Sequence, residues 1–215
     1  MMKDETIPKF VESVKADFGK VDILINNAGI MYPGNCMSED IISSTMKTNY
    51  YSNISLTNQF VFGEELMAKN AKVINISSGL GRISRIKQPE AKDILLKYDS
   101  INFADLDAVA QKFETEVRSN ALSKGWPTSV YAVSKAFLSV YTKILARDPA
   151  IVENGVQVYC CCPGFCDTDL TAGCGAKKSP VTGAGELYQL IRLPHVLDPA
   201  TQGGFWRELT WEKID

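Results

Sequence analysis

Residues 21–29 read VDILINNAG. The first six form a short apolar run rich in β-branched residues, the pattern of a strand buried on both faces. The residues that follow, NAGIMYPGNC (27–36), carry the Asn, Gly and Pro content of a loop. Two further stretches share this form. AKVINISS (71–78) runs into a glycine, and GVQVYCCC (155–162) runs into Pro163 and Gly164. Three buried strands, each leaving through a loop of small and polar residues, set the architecture.

The segments between them have helical periods. Residues 6–19 place Ile7, Phe10, Val11, Val14 and Phe18 at helical spacing, with Thr6 as a cap, Pro8 in the first turn and Gly19 at the end. Residues 38–69 read as helical with a break near Asn49 and Asn53. A third helix is predicted over 105–122, with apolar positions at 106, 109, 110, 113, 117 and 121. KGWPTS (124–129) is a turn, and 131–147 is a helix whose apolar residues spread widely, as in a buried one. Residues 79–93 read as irregular, and the chain from Thr171 is rich in Gly, Lys and Pro. This order predicts one domain over residues 1–215, an α/β fold of the doubly wound, Rossmann-like kind with a parallel sheet. Ligands in such folds lie beyond the carboxyl ends of the strands. The loops NNAG (26–29), SSG (77–79) and PG (163–164) should therefore converge on one edge.

Composition narrows the function. The chain has 215 residues, 45% of them hydrophobic and 22% charged, an ordinary globular balance. A formal net charge of -2, with no run of Lys or Arg, points away from nucleic acid and anionic membranes. No apolar stretch is long enough for a bilayer, and MMKDETIPKF lacks the apolar core of a signal peptide. The six cysteines include the consecutive Cys160, Cys161 and Cys162, whose side chains alternate across a strand. They fit reduced thiols in the cytoplasm better than a disulfide framework, and no metal site is expected. His195 is read as incidental.

TSVYAVSKAF (128–137) carries the chemistry. Tyr131 and Lys135 stand one helical turn apart on one face. An ammonium beside a phenol favours the phenolate, so the Tyr131 pKa is expected below its usual value of about 10. A tyrosine so placed serves as a proton donor or acceptor. An ordinary surface helix would show the same short spacing, so the weight rests on the other motifs.

Taken in order, NNAG (26–29), MKTNYYS with Asn49, VINISS ending at Ser78, YAVSK (131–135) and CCPGF (161–165) resemble the short-chain dehydrogenase/reductase family. The long gap from Ser78 to Tyr131, filled by the 105–122 helix, is most similar to the monomeric NADPH-dependent carbonyl reductases. GWPTSVYAVSK, CCPGFCDTDL and KSPVTGAGE look like that subgroup too. The resemblance implies a monomer, because the inserted helix covers the surface that other members use to pair. It implies reduction of ketones, aldehydes or quinones by hydride transfer from NADPH, with Tyr131 as proton donor. Lys135 would lower the Tyr131 pKa and hold the nicotinamide ribose. Ser78 would steady the oxyanion, and Asn49 would hold a water relay to Lys135. Asn27, Ala28 and Gly29 would pass close to the cofactor ribose, while Pro163, Gly164 and Thr168 would flank the nicotinamide and phosphates. Cys162 could touch a ligand, though a small buried core residue is the stronger reading.

One family feature is missing. TGxxxGxG, which sets backbone N–H groups against the cofactor pyrophosphate, occurs nowhere in the sequence. The Gly-x-Gly pairs of GLGR, AGCGAKK and TGAGELY do not replace it. The family pattern thus predicts a chain that is N-terminally truncated, lacking its first three strands and two helices. VDILIN would then be an exposed edge, and the helices at 6–19 and 131–147 would lose contacts. Asp4 aligns poorly with the family's adenine-holding acid, and Asp167 would repel a cofactor phosphate. NADP over NAD rests on the subgroup resemblance alone. Two alternatives stay open: a catalytically silent remnant that acts as an interaction protein through the sheet edge, and a reductase whose substrate is a steroid or a sugar. The loop MYPGNC and the segment from Thr171 would line the substrate pocket.

Overall fold

The computed structural model of the chain describes residues 6–32, 34, 37–119 and 124–215. Cys36, Asp4, much of MYPGNC and the end of the predicted 105–122 helix lie outside them. Five strands form one sheet in the order β1 (Val21–Asn26), β2 (Met67–Ile76), β3 (Gln157–Cys162), β4 (Phe205–Arg207) and β5 (Thr210–Glu212). The first four are parallel, and β5 returns antiparallel to β4. The three predicted strands are therefore the three first strands, side by side. Among the described residues β1 pairs only with β2, so it is an edge.

Helices cover both faces. On one lie α1 (Thr6–Phe18), α2 (Glu39–Met46), α3 (Ser52–Asn58), α4 (Pro89–Leu96), α5 (Phe103–Arg118), α6 (Val130–Leu145) and α7 (Pro149–Glu153), over the larger core. On the other α8 (Pro180–Arg192) presents Leu190 to Ile74, Ile76, Tyr159 and Cys161. The three consecutive cysteines split between the cores as strand alternation requires: Cys160 and Cys162 face the large core, Cys161 the small one. Helix α6 is buried along almost its whole length, so the expectation that it would lose contacts fails. Helix α1 is partly bare, with Phe10 and Phe18 exposed.

Several local expectations need correction. The helical path over 38–69 ends at Gly63, because β2 starts at Met67. Glu65 and Asn70 adopt left-handed backbone angles, φ 48° and 59°. The second coincides with the slip in register between Val21↔Met67 and Ile23↔Lys72, a place where Asn is tolerated. The expected break near Asn49 is a π-helical turn, Lys47–Tyr51, with a second at Gln59–Gly63. Residues 79–93 are not irregular throughout. Gln88 caps α4 by accepting from the Ala91 N–H at 2.6 Å, and Pro89 takes the first helical position. Ser179 and Pro180 repeat that start for α8. Thr6 lies inside α1 rather than capping it, whereas Gly19, at φ 72°, does end it.

Candidate active site

The carboxyl ends of β1, β2 and β3 bring together most of the expected residues. Tyr131 and Lys135 lie one turn apart near the start of α6, which Ser129 caps by accepting from the Ala132 N–H. The Lys135 ammonium stands 5.8 Å from the centroid of the Tyr131 ring. It donates to the carbonyl of Ile76, the last residue of β2, at 2.6 Å. Ser77 and Ser78 follow directly. Ser77 Oγ donates to the Lys135 carbonyl at 3.0 Å and shares a hydrogen bond with Ser139 Oγ at 2.8 Å, so the helix is tied to the strand end twice. Ser78 Oγ accepts from the Leu80 N–H and lies beside Tyr131.

Asn49 occupies the π turn, fully buried. Its Oδ1 accepts from the Ile30 N–H at 2.8 Å. Its Nδ2 donates to the Ile30 carbonyl at 2.9 Å and to Ser134 Oγ at 3.1 Å. The π turn's extra residue turns this amide inward, where it clasps the loop after β1. Both N–H donors are spent, so the side chain positions that loop. Gly29 sits where the loop passes: a Cβ there would lie 3.4 Å from Asn49 Oδ1 and from Lys135 Nζ. Asn27 and Ala28 are exposed beside it. Pro163 and Gly164 form the exit of β3, with Gly164 at φ 88° against the Lys178 side chain. Thr168 lies farther along the same loop and caps a single turn, Asp169–Thr171.

Electrostatics differ from the expectation in one respect. Burial pushes the Tyr131 phenol above its ordinary value, with the Ser78 hydroxyl acting in the opposite sense. The predicted fall does not occur, because burial dominates at Tyr131, and Lys135, 5.8 Å from the ring centroid, is itself brought down to about 8 by burial. Cys162 is buried and accepts from the Gly79 N–H at 3.1 Å, which favours the core reading.

Lys135 also tests the fit to a nicotinamide nucleotide. The residue is 3% exposed, and among the described residues its ammonium has one acceptor for three donors. Two unspent donors at a strand end suit the hydroxyls of a ribose. For the pyrophosphate end no residue is assigned, since the glycine-rich turn is not in the sequence.

Sequence reasoning missed the supports. Ser134 and Ser139 read only as small residues in YAVSKAFLS, yet they hold Asn49 and the Lys135 carbonyl. Gly81, seen only as half of a Gly-x-Gly pair, lets its loop touch α6: a Cβ would come within 2.7 Å of the Lys135 carbonyl carbon. Gly183 does the same for α8 against Cys166 and Pro163. Arg207, from β4, lies against Gly79 on this edge.

Comparison with known proteins agrees with this geometry. The family described as short chain dehydrogenase matches residues 1–90 and 116–179. The break between them covers most of α4 and α5, where the inserted helix was expected. The chain is 28% identical to (+)-neomenthol dehydrogenase of Capsicum annuum, over 91% of this chain and 73% of that protein. It is 31% identical to carbonyl reductase (NADPH) 1 of Macaca fascicularis, over 83% of this chain and 65% of that protein. The structure of salutaridine reductase from Papaver somniferum superposes with a TM-score of 0.80 at 23% identity, covering 95% of this chain and 79% of that one. That likeness concerns the fold.

Proposed function

The chain belongs to the short-chain dehydrogenase family, and from that premise we propose that it reduces carbonyl compounds (ketones, aldehydes or quinones) with NADPH, using Tyr131 as proton donor. The observation that carries this reading is the meeting of Tyr131, Ser78 and Lys135 at the ends of the strands, with Asn49 clasping the loop beneath them. When bound, the nicotinamide supplies the hydride. Tyr131 gives its phenolic proton to the carbonyl oxygen. Burial keeps that phenol protonated at neutral pH, so it waits as an acid. Ser78 donates to the same oxygen and steadies the charge that develops there. The charge of Lys135 stabilises the phenolate left after the transfer, and its spare donors hold the ribose. Asn49 keeps Gly29 and its neighbours in place. The reductases named above support the reaction class, and one of them supports NADPH.

Helix α5 packs its Val109 and Phe113 into the core shared with α6, and on that basis we propose a monomer. We propose the cytoplasm as compartment, since consecutive strand cysteines on alternate faces are placed as thiols rather than as a framework. The bare edge of β1 favours a second reading, a silent protein that binds a partner by strand addition.

One experiment separates the two. The purified chain is titrated with NADPH by nicotinamide fluorescence, then assayed with a quinone alongside Tyr131→Phe. Saturable binding and turnover lost in the variant are expected. Intact turnover in Tyr131→Phe sinks the mechanism, and a folded chain that binds no NADPH leaves the second reading.

A further inference from the structure

Arg207 closes β4 at the carboxyl edge of the sheet, where it pairs in register with Cys162. Side chains alternate along the strand: Phe205 joins the large core and Trp206 packs on the small one. Arg207 therefore points to the face that α6 covers, the face of Tyr131. Its guanidinium lies against Gly79, the residue after Ser78: a Cβ there would come within 3.1 Å of Nη1. Gly79 is itself tied down, its N–H donating to Cys162 Sγ. The sheet order puts Arg207 on the β4 side of Ser78, away from Gly29 at the exit of β1.

The cations of this edge differ in how far they are spent. Lys178 pairs with the buried Glu186 at 3.2 Å. Arg82 pairs with Glu212 and donates to the Lys213 carbonyl. Arg207 gives Nη2 to Glu208 at 2.9 Å, a chain neighbour whose side chain is 62% exposed, and pairs of that kind hold weakly. Its Nε is buried with no acceptor, and Nη1 has none among the described residues. The guanidinium is thus partly out of water with most of its five donors unspent.

The backbone beside it is strained. Glu208 and Leu209 form the two-residue turn between β4 and β5, both in the left-handed region at φ 50° and 62°. Asn and Gly take that conformation readily, whereas Glu and Leu adopt it against a steric cost. Glu186 holds the turn by accepting from the Leu209 N–H at 2.9 Å, and Thr210 Oγ1 donates to the Arg207 carbonyl at 2.9 Å. Strain held in place by a buried group recurs where a side chain is presented to a ligand.

We propose that Arg207 is a specificity-determining residue that holds a carboxylate of the substrate through Nη1, while the reacting carbonyl lies at Ser78 and Tyr131. The proposal rests on the reductase reading and names its substrate class: keto or formyl acids. A carboxylate takes up the unspent donors in a charge-assisted bond, which a neutral group matches only weakly. A nucleotide phosphate is the other anion at hand, but Gly29 and Lys135 set the nucleotide on the far side of Ser78.

The test compares 3- and 4-carboxybenzaldehyde with their methyl esters as substrates of the whole chain with NADPH, in the parent, Arg207→Met and Arg207→Lys. At least one acid should exceed its ester about tenfold or more in kcat/KM, mainly through KM. Arg207→Met should lower that acid-to-ester ratio at least about tenfold, and Arg207→Lys, which keeps the charge, should restore part of it. In parallel the corresponding alcohol products, 3- and 4-(hydroxymethyl)benzoate, are titrated against the Gly79 amide NMR shift. A saturable shift is expected, weakened at least about tenfold in Arg207→Met. Turnover of the esters with no preference for either acid overturns the proposal and leaves the reductase reading standing. A ratio unchanged in Arg207→Met, with NADPH binding weakened instead, assigns the residue to the nucleotide and overturns it too. No turnover of any of the four aldehydes strikes the reductase reading, and the titration then decides: absence of a saturable shift, or an equal one in Arg207→Met, overturns the proposal.

Discussion

Two lysines are buried among the described residues, and each ties β2 to a helix. Lys72, at 0% exposure, stands near the middle of the strand and donates to the carbonyls of Ile191 at 2.8 Å and Leu193 at 2.5 Å. These carbonyls belong to the last turn of α8 and the residue after it, where a helix leaves acceptors unpaired and attracts positive charge. Lys135, at 3%, reaches the carboxyl end of the strand and, among the described residues, finds the Ile76 carbonyl alone. Burial lowers the pKa of both. The difference lies in acceptors: one ammonium is consumed in holding a helix end, and the other keeps donors in reserve. A buried charge is a functional residue when its partners are too few, not merely because it is buried.

The contrast breaks first, and by the largest margin, at the reactive end. Tyr131→Phe removes the proposed proton donor while keeping the ring, and should lower turnover by about two to four orders of magnitude with the fold intact. Turnover within a few-fold of the parent would end the assignment of that end as catalytic.

Substituting the two lysines should then give changes of opposite sign. Lys72→Met leaves the end of α8 uncapped and should cost about 1–3 kcal/mol in urea unfolding, with nicotinamide binding untouched. Lys135→Met removes an ammonium whose desolvation is poorly offset, and should raise stability at pH 7 by about 1–2 kcal/mol while abolishing turnover. Parallel losses of stability in both variants would erase the distinction.

The part of the pH dependence that belongs to Lys135 is the difference between the parent and Lys135→Met. Its folded pKa of about 8 lies below the unfolded 10.5. Between those values the unfolded chain binds the extra proton, so the stability of the parent relative to Lys135→Met should rise with pH across that window. Turnover should move the other way and fall about tenfold per unit above pH 8, as the ammonium is lost. The smallest effect belongs to Ser139→Ala, which removes one tie between α6 and the strand end and should cost about 1 kcal/mol in thermal or urea unfolding.

Much of this was legible in the residues. Dense β-branched runs marked β1, β2 and β3, because a strand buried on both faces has little room for polar side chains. Helical period marked α1, α5 and α6. The four residues Asn49, Ser78, Tyr131 and Lys135 each lie at a strand exit or on the helices beside it, so pattern and fold class together brought them to one edge. The beginnings of α4 and α8 were also written in the chain, as Gln88-Pro89 and Ser179-Pro180, but eight to thirteen residues of mixed polarity hid the helices behind them. The hairpin of β4 and β5 was not legible, since three-residue strands have too few positions to show an alternation.

The sequence by itself determined the layered fold, the order of its strands' exits and the set of candidate site residues, because strand burial and helical spacing are local properties of consecutive residues. Only the tertiary structure decided what each polar atom does there. It spends both N–H donors of Asn49 on Ile30 and Ser134, turns Lys135 to the face of Tyr131, and lays Arg207 of β4 against Gly79 at the exit of β2. Hydrogen bonds and pKa shifts depend on atoms that are distant in the chain and adjacent in space, and no spacing along the sequence encodes that adjacency.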